Sequence, residues 1–228
     1  MALIKFGQGV ADARGKLNGL VFSRNTYGAY MRTKVTPINP QTTHQATSRV
    51  RLADAAQAWR GITDNERKSW NSIAVQFSRT SIFGDNVPLT GFNLFVRLNK
   101  NLLQIGLPLI STPPAPSTVE GITGLTITPN ATANTFGLAF TPTPTPADHY
   151  LVVRATPGFG AGRTFFGGQY RVIGVTAPAT ASPLAIHADY IDRFGPLIIG
   201  QKYGVSINFV HALSGIPSTP QQAVAIAV

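Results

Sequence analysis

The chain has 228 residues, no cysteine, 43% hydrophobic and 12% charged residues, and a formal net charge of +10. The missing cysteine excludes disulfides, thiolate nucleophiles and cysteine-based zinc sites, and the apolar content excludes wholesale disorder. The charge is lopsided: residues 1–103 carry 14 Lys+Arg against 5 Asp+Glu, and residues 104–228 carry 5 against 4. A basic first half followed by a near-neutral second half implies two modules, the first meeting an acidic partner.

In chain order, the first residues have no apolar run long enough for a signal peptide, so synthesis in the cytoplasm without export is expected. Gly15–Gly19 and Asn25–Gly28 read as turns, with strands at Leu20–Ser23 and Ala29–Val35. Alternation in the second strand predicts one basic, aromatic face formed by Tyr30, Arg32 and Lys34, with Met31, Thr33 and Val35 opposite. Such a charge run more often marks a solvated face than a site. Thr36–Thr42 holds two prolines and is extended. A first helix is predicted from Thr43 to Arg60. A capping box, Thr63 with Glu66, opens a second helix reaching about Phe77. A third helix, capped by Thr90, repeats Phe92, Phe95, Leu98, Leu102 and Ile105. Trp59 and Trp70 are expected to pack together in the core of this helical unit.

Pro113, Pro114 and Pro116 mark a stiff joint. Beyond it the chain reads as short strands at Leu125–Thr128, Thr135–Phe140, Tyr150–Thr156, Tyr203–Val210 and Gln222–Val228, with one helical pattern near Ile186–Phe194. The predicted fold is an α+β N-terminal module of β-hairpins and three short helices over residues 1–110. A Pro-rich linker follows over 111–118, then an all-β Ig/fibronectin-like sandwich over 119–228. Tyr203, near the start of a late strand, suits a tyrosine corner.

Catalytic signatures are absent from this pattern. His44, His149, His187 and His211 are scattered, and on a strand Asp148 and His149 would point to opposite faces. Gly158–Arg163 lacks the Lys-Ser/Thr ending and following helix of a phosphate loop. Asn130-Ala131-Thr132 reads as an ordinary turn. The expectation is therefore no enzyme, cofactor or metal, and no membrane span.

The basic half offers Arg24, Arg32, Lys34, Arg49, Arg51, Arg60, Arg67, Lys68 and Arg79 to phosphates, which keeps nonspecific nucleic-acid contact open. These cations are spread over strands, strap and helices; Arg49 and Arg51 cannot share one helix face. No nucleic-acid-binding motif accompanies them. The partner-binding candidates are Arg24, Tyr30, Arg32, Lys34, Arg49 and Arg51. A carbohydrate-binding role would use Tyr150, Phe159, Phe165, Phe166 or Tyr170 as platforms.

Gly19–Arg32, Val35–Thr42, Ala58–Thr63, Glu66–Trp70, Gly91–Phe95 and Leu98-Asn99 together resemble a family of tailed-phage and prophage proteins often encoded beside virion genes. The resemblance covers roughly residues 3–105. It implies a virion structural protein, capsid-associated (minor capsid, decoration or head fibre) or else part of tail or connector. It carries no enzymatic residues. On this reading the basic half anchors in multiple copies to acidic capsid surfaces and the sandwich projects. The alternatives are a nonspecific nucleic-acid-associated protein and a carbohydrate-binding or adhesion module.

Overall fold

The computed structural model describes residues 2–80 and 86–228, without the side chains of residues 78–80. The chain divides into two compact units, Met1–Ala46 and Thr47–Val228.

In the first unit β1 (Ala2–Leu3), β2 (Gly15–Leu17), β3 (Leu20–Asn25) and β4 (Gly28–Thr33) form one antiparallel sheet in the order β1-β4-β3-β2. Asn18-Gly19 closes β2 onto β3, with Asn18 at φ 49°. Asn-Gly is favoured there because a turn with positive φ matches the twist of the strands it joins. Gly15–Leu17, expected as part of a turn, is therefore strand. Register places Phe22 opposite Met31 on one face, and Val21 opposite Arg32 and Ser23 opposite Tyr30 on the other. None of residues 2–46 is buried. A sheet needs a second layer before its apolar face becomes a core, and this unit does not contain one.

Helix α1 (Thr43–Gly61) runs across the division, and nothing in it is buried before Ala55. Helix α2 (Asp64–Ala74) starts at the expected capping box. Thr63 Oγ1 accepts from the Glu66 N–H at 3.3 Å, and the Glu66 carboxylate accepts from the Thr63 N–H at 2.7 Å. It stops at Ala74, short of the expected Phe77. Next come β5 (Ser78–Thr80), paired with β6 (Asn86–Pro88), and helix α3 (Gly91–Gln104), capped by Thr90. Trp59 and Trp70 each meet Phe95 edge-on with centroids 5.2 Å apart, so the expected tryptophan pair is joined through a third ring.

The remaining strands are β7 (Gly124–Asn130), β8 (Thr135–Thr141), β9 (His149–Ala155), β10 (Arg171–Thr176), β11 (Leu184–Ala185), β12 (Lys202–His211) and β13 (Gln221–Ile226), with α4 (His187–Phe194) after β11. They form two antiparallel sheets, β11-β8-β7 and β10-β9-β12-β13. Phe136, Leu138 and Phe140 of one sheet pack against Leu151, Val153, Val205, Ile207 and Phe209 of the other, which makes this part a β-sandwich. The Tyr203 hydroxyl accepts from the Ile198 N–H at 2.8 Å, five residues upstream, which is tyrosine-corner geometry.

The expected boundary at 111–118 is not where the chain divides. Asn99, fully buried, donates to the Ile110 carbonyl at 3.2 Å and accepts its N–H at 2.7 Å. Trp70 Nε1 donates to the Ser111 carbonyl at 2.6 Å. Ile216, from the turn after β12, packs with Trp70, Leu94, Phe95 and Leu98. Leu102 and Ile105 pack with Val152 and Val210 on the outer face of the four-stranded sheet. Helices and sandwich therefore share cores, and the prolines border a connection pinned at its start rather than a free spacer.

Candidate functional site

Within the first unit the structure does not place the four predicted partner-binding residues Arg24, Tyr30, Arg32 and Lys34 on one face. Tyr30 and Arg32 share a face of β4, joined across the sheet by Lys16, which lies opposite Val21 as Arg32 does. Arg24 lies opposite Ala29, on the other face, because one residue of register reverses a side chain. Lys34 lies past the end of β4, its N–H donating to the Gly19 carbonyl at 2.8 Å. Arg49 and Arg51 belong to α1, in the second unit. Of the other cations of the basic half, Arg67 bonds Asp64 at 2.7 Å and the Arg60 carbonyl at 2.9 Å, a local tie between helices. The Arg79 side chain lies outside the described residues. The first unit carries six Lys/Arg against the single acid Asp12, a net of +5.

A more closely built site lies within the second unit, where α3 runs over the outer face of the four-stranded sheet. Antiparallel register puts Arg154 opposite Ser206, with Asn208 on the same face two residues along β12. On α3, Arg97, Asn101 and Gln104 stand at i, i+4 and i+7 and so share one stripe. These residues, with Tyr170, Val210 and Pro217–Pro220, line a cavity of about 620 Å³. Ser206 and Asn208 are 4% and 3% exposed. Asn208 Oδ1 accepts from the Arg154 guanidinium, and its Nδ2 donates to the Phe209 carbonyl at 2.9 Å. Burial pulls Arg154 below the usual arginine range, yet a guanidinium stays charged in proteins. Among the described residues neither Arg97 nor Arg154 forms an ion pair. Gln104 Nε2 is enclosed and has no hydrogen-bond partner among the described residues. The Tyr170 hydroxyl donates to Gln222 Oε1 at 3.3 Å, and its pKa is raised by burial. The arrangement can hold an anion: two cations, one of them partly buried, and an unused donor, with no carboxylate among the described lining residues.

Sequence reasoning missed this groove. Its signal was the alternation Val205-Ser206-Ile207-Asn208-Phe209, which sets a polar row on one face, matched by the polar stripe of α3. Of the five aromatic platforms proposed from sequence, Tyr170 alone lines it. Tyr150 packs beside Val152 and Val210, Phe166 is buried, and Arg163 stacks over Phe159 at 3.8 Å. Phe165 is exposed.

The histidines show one unexpected contact. His149 and His211 face each other with ring centroids 5.3 Å apart, and His211 Nδ1 lies 2.9 Å from Ser214 Oγ. Burial, then the charge of His211, holds His149 below the ordinary histidine range. Among the described residues no group of three or more His, Asp or Glu comes together for a metal, and no helix is long and apolar enough to cross a membrane.

No protein-family model matches the chain, and no curated protein matches it. Among solved structures it is similar to an Fn3-like protein from Clostridium thermocellum, at 18% identity and a TM-score of 0.33, over 49% of this chain and 96% of that one. It is also similar to a family 76 glycoside hydrolase from a bovine Bacteroides thetaiotaomicron strain, at 13% identity and a TM-score of 0.34, over 47% of this chain and 20% of that one. Likenesses this slight carry no argument about activity or site residues.

Proposed function

We propose that this chain is a phage virion structural protein, associated with the capsid as a minor capsid, decoration or head-fibre protein. The observation that supports this reading best is the first unit. Its sheet presents Leu20, Phe22 and Met31 on one face, carries a net charge of +5, and buries no residue. A single β layer of this size is poorly stabilised until something covers its apolar face. An acidic lattice of repeated subunits would supply both the covering surface and the opposite charge. Many copies would then sit on one particle, each held by its N-terminal sheet. The second unit, with a sandwich of the Ig/fibronectin type, would face outward.

The test is to purify particles from a host carrying the gene and identify the chain by mass spectrometry, before and after washing at rising salt. The expected result is co-purification that weakens with salt, because exposed charge attraction is screened over about 8–10 Å at physiological ionic strength. Removing residues 2–33 should abolish incorporation and leave the rest of the chain folded. Recovery of the intact chain only in the particle-free fraction would overturn the proposal. Co-purification that ignores salt would overturn the electrostatic part of it.

A further inference from the structure

The groove beside α3 has no part in that anchoring role and stands on its own evidence. We propose that it binds a carboxylate-bearing sugar, held through its acid group by Arg97 and Arg154 and through its hydroxyls by the amides and hydroxyls of the wall.

The argument begins with a contrast inside one interface. Where α3 and its C-terminal end close on the sheet, the contact is apolar, Leu102 and Ile105 against Val152 and Val210. One step along the same sheet face, the residues turn polar, Arg154, Ser206 and Asn208, and the helix stands off to leave about 620 Å³. Ser206 and Asn208 are more than nine-tenths buried and Arg154 is partly buried, and polar groups so placed are costly without full hydrogen bonding. Here the bonding is incomplete. Among the described residues Arg154 has Asn208 as its one hydrogen-bond partner, although a guanidinium carries five N–H donors. Gln104 Nε2 is shut away from solvent and has no hydrogen-bond partner among the described residues. A wall of this kind is matched by a ligand that brings acceptors.

Charge and size narrow the class. Two guanidiniums with no Asp or Glu among the described residues that line the groove call for an anion, and the planar fork suits a carboxylate through paired hydrogen bonds. The volume falls in the range of small-ligand sites, enough for one or two sugar rings. A nucleic-acid strand requires a track of cations and stacking rings, whereas this groove has two cations and Tyr170. A bare phosphate would engage the two cations and leave the enclosed Gln104 Nε2 without an acceptor. A pyranose with one acid group uses both, with the Tyr170 ring and Pro217 beside its C–H surface.

The experiment uses the full chain and ligand-observed NMR titration at low ionic strength. The probes are D-glucuronate, D-galacturonate and N-acetylneuraminate, with D-glucose, D-galactose and inorganic phosphate as comparators. At least one acidic sugar should saturate, with its neutral counterpart and phosphate each about tenfold weaker or worse. Arg97→Gln, at an exposed position that leaves the fold alone, should weaken that sugar by about tenfold. Arg154→Lys should weaken it too, keeping the charge but losing the fork. His187→Gln, outside the groove, should change nothing. The proposal is overturned if no acidic sugar saturates, if galactose or glucose binds as tightly as its acid, or if phosphate does. It is equally overturned if Arg97→Gln leaves the affinity unchanged.

Discussion

Residues 2–46 and residues 47–228 each carry a net charge of +5, yet they treat apolar surface in opposite ways. The second unit puts Trp70, Phe95, Leu138 and Phe209 out of water entirely. The first leaves Phe22 and Met31 only half-covered and Leu17 exposed. A chain that folds the same kind of β-hairpin with a core in one place and without one in another has two different sources of order. The second unit is stabilised by its own packing. The first has local turns and a sheet ladder, and none of its described residues is buried.

That comparison is broken or sharpened most strongly by paired core substitutions. Phe95→Ala, between two tryptophans, should cost about 3–5 kcal/mol in denaturant melts of the full chain. Phe22→Ala should shift the same transition by less than about 0.5 kcal/mol. Equal losses would mean the first unit shares a core after all. Gly215→Ala comes next. Its φ is +68°, and an added Cβ would collide with the Leu98 carbonyl. This turn is one of the contacts that join helix to sandwich, so a loss of about 1–3 kcal/mol is expected. The loss should appear equally in tryptophan fluorescence, which reads the helices, and in far-ultraviolet circular dichroism, dominated by the strands. Two transitions moving separately would restore a boundary near 111–118.

Smaller effects test local devices. Thr63→Ala should cost about 1 kcal/mol, the usual worth of an N-cap. For His149 the direction follows from its lowered pKa. The unfolded chain takes up the proton more readily, so His149 adds stability above about pH 6.5 that is lost as the pH falls through its lower folded-state value. The thermal midpoint should therefore drop more between about pH 7.5 and pH 5.5 in the wild type than in His149→Gln. An identical drop in both would remove His149 from the account.

What could be read from the sequence was what short range decides. Thr63 and Glu66 are three residues apart, and their capping box is present as read. The apolar repeat of α3 is likewise local, and Tyr203 reaches only five residues back. What could not be read was decided by distant partners. Pro113, Pro114 and Pro116 look like a spacer until Asn99 and Trp70 are seen binding Ile110 and Ser111. Arg97, Asn101 and Gln104 look like a solvated helix face until Arg154 and Asn208, fifty or more residues on, are placed opposite. Strands β10 and β11 went unread because Gly174 sits beside an irregularity in register and Pro183 precedes a two-residue strand. The basic face was half legible: alternation gave Tyr30 and Arg32, whereas Lys16 joined them and Arg24 turned away through pairings that only the hairpin register sets.

The contrast between the two units is tested most directly by hydrogen exchange of the full chain, free in solution and on purified particles. In the free chain the amides of β3 and β4 should exchange far faster than those of β9 and β12, which lie in a packed core. On particles, β3 and β4 should become protected while β9 and β12 stay as they were. Protection of β3 and β4 in the free chain equal to that of β12 would contradict the account, because the sheet would then be stabilised without a partner.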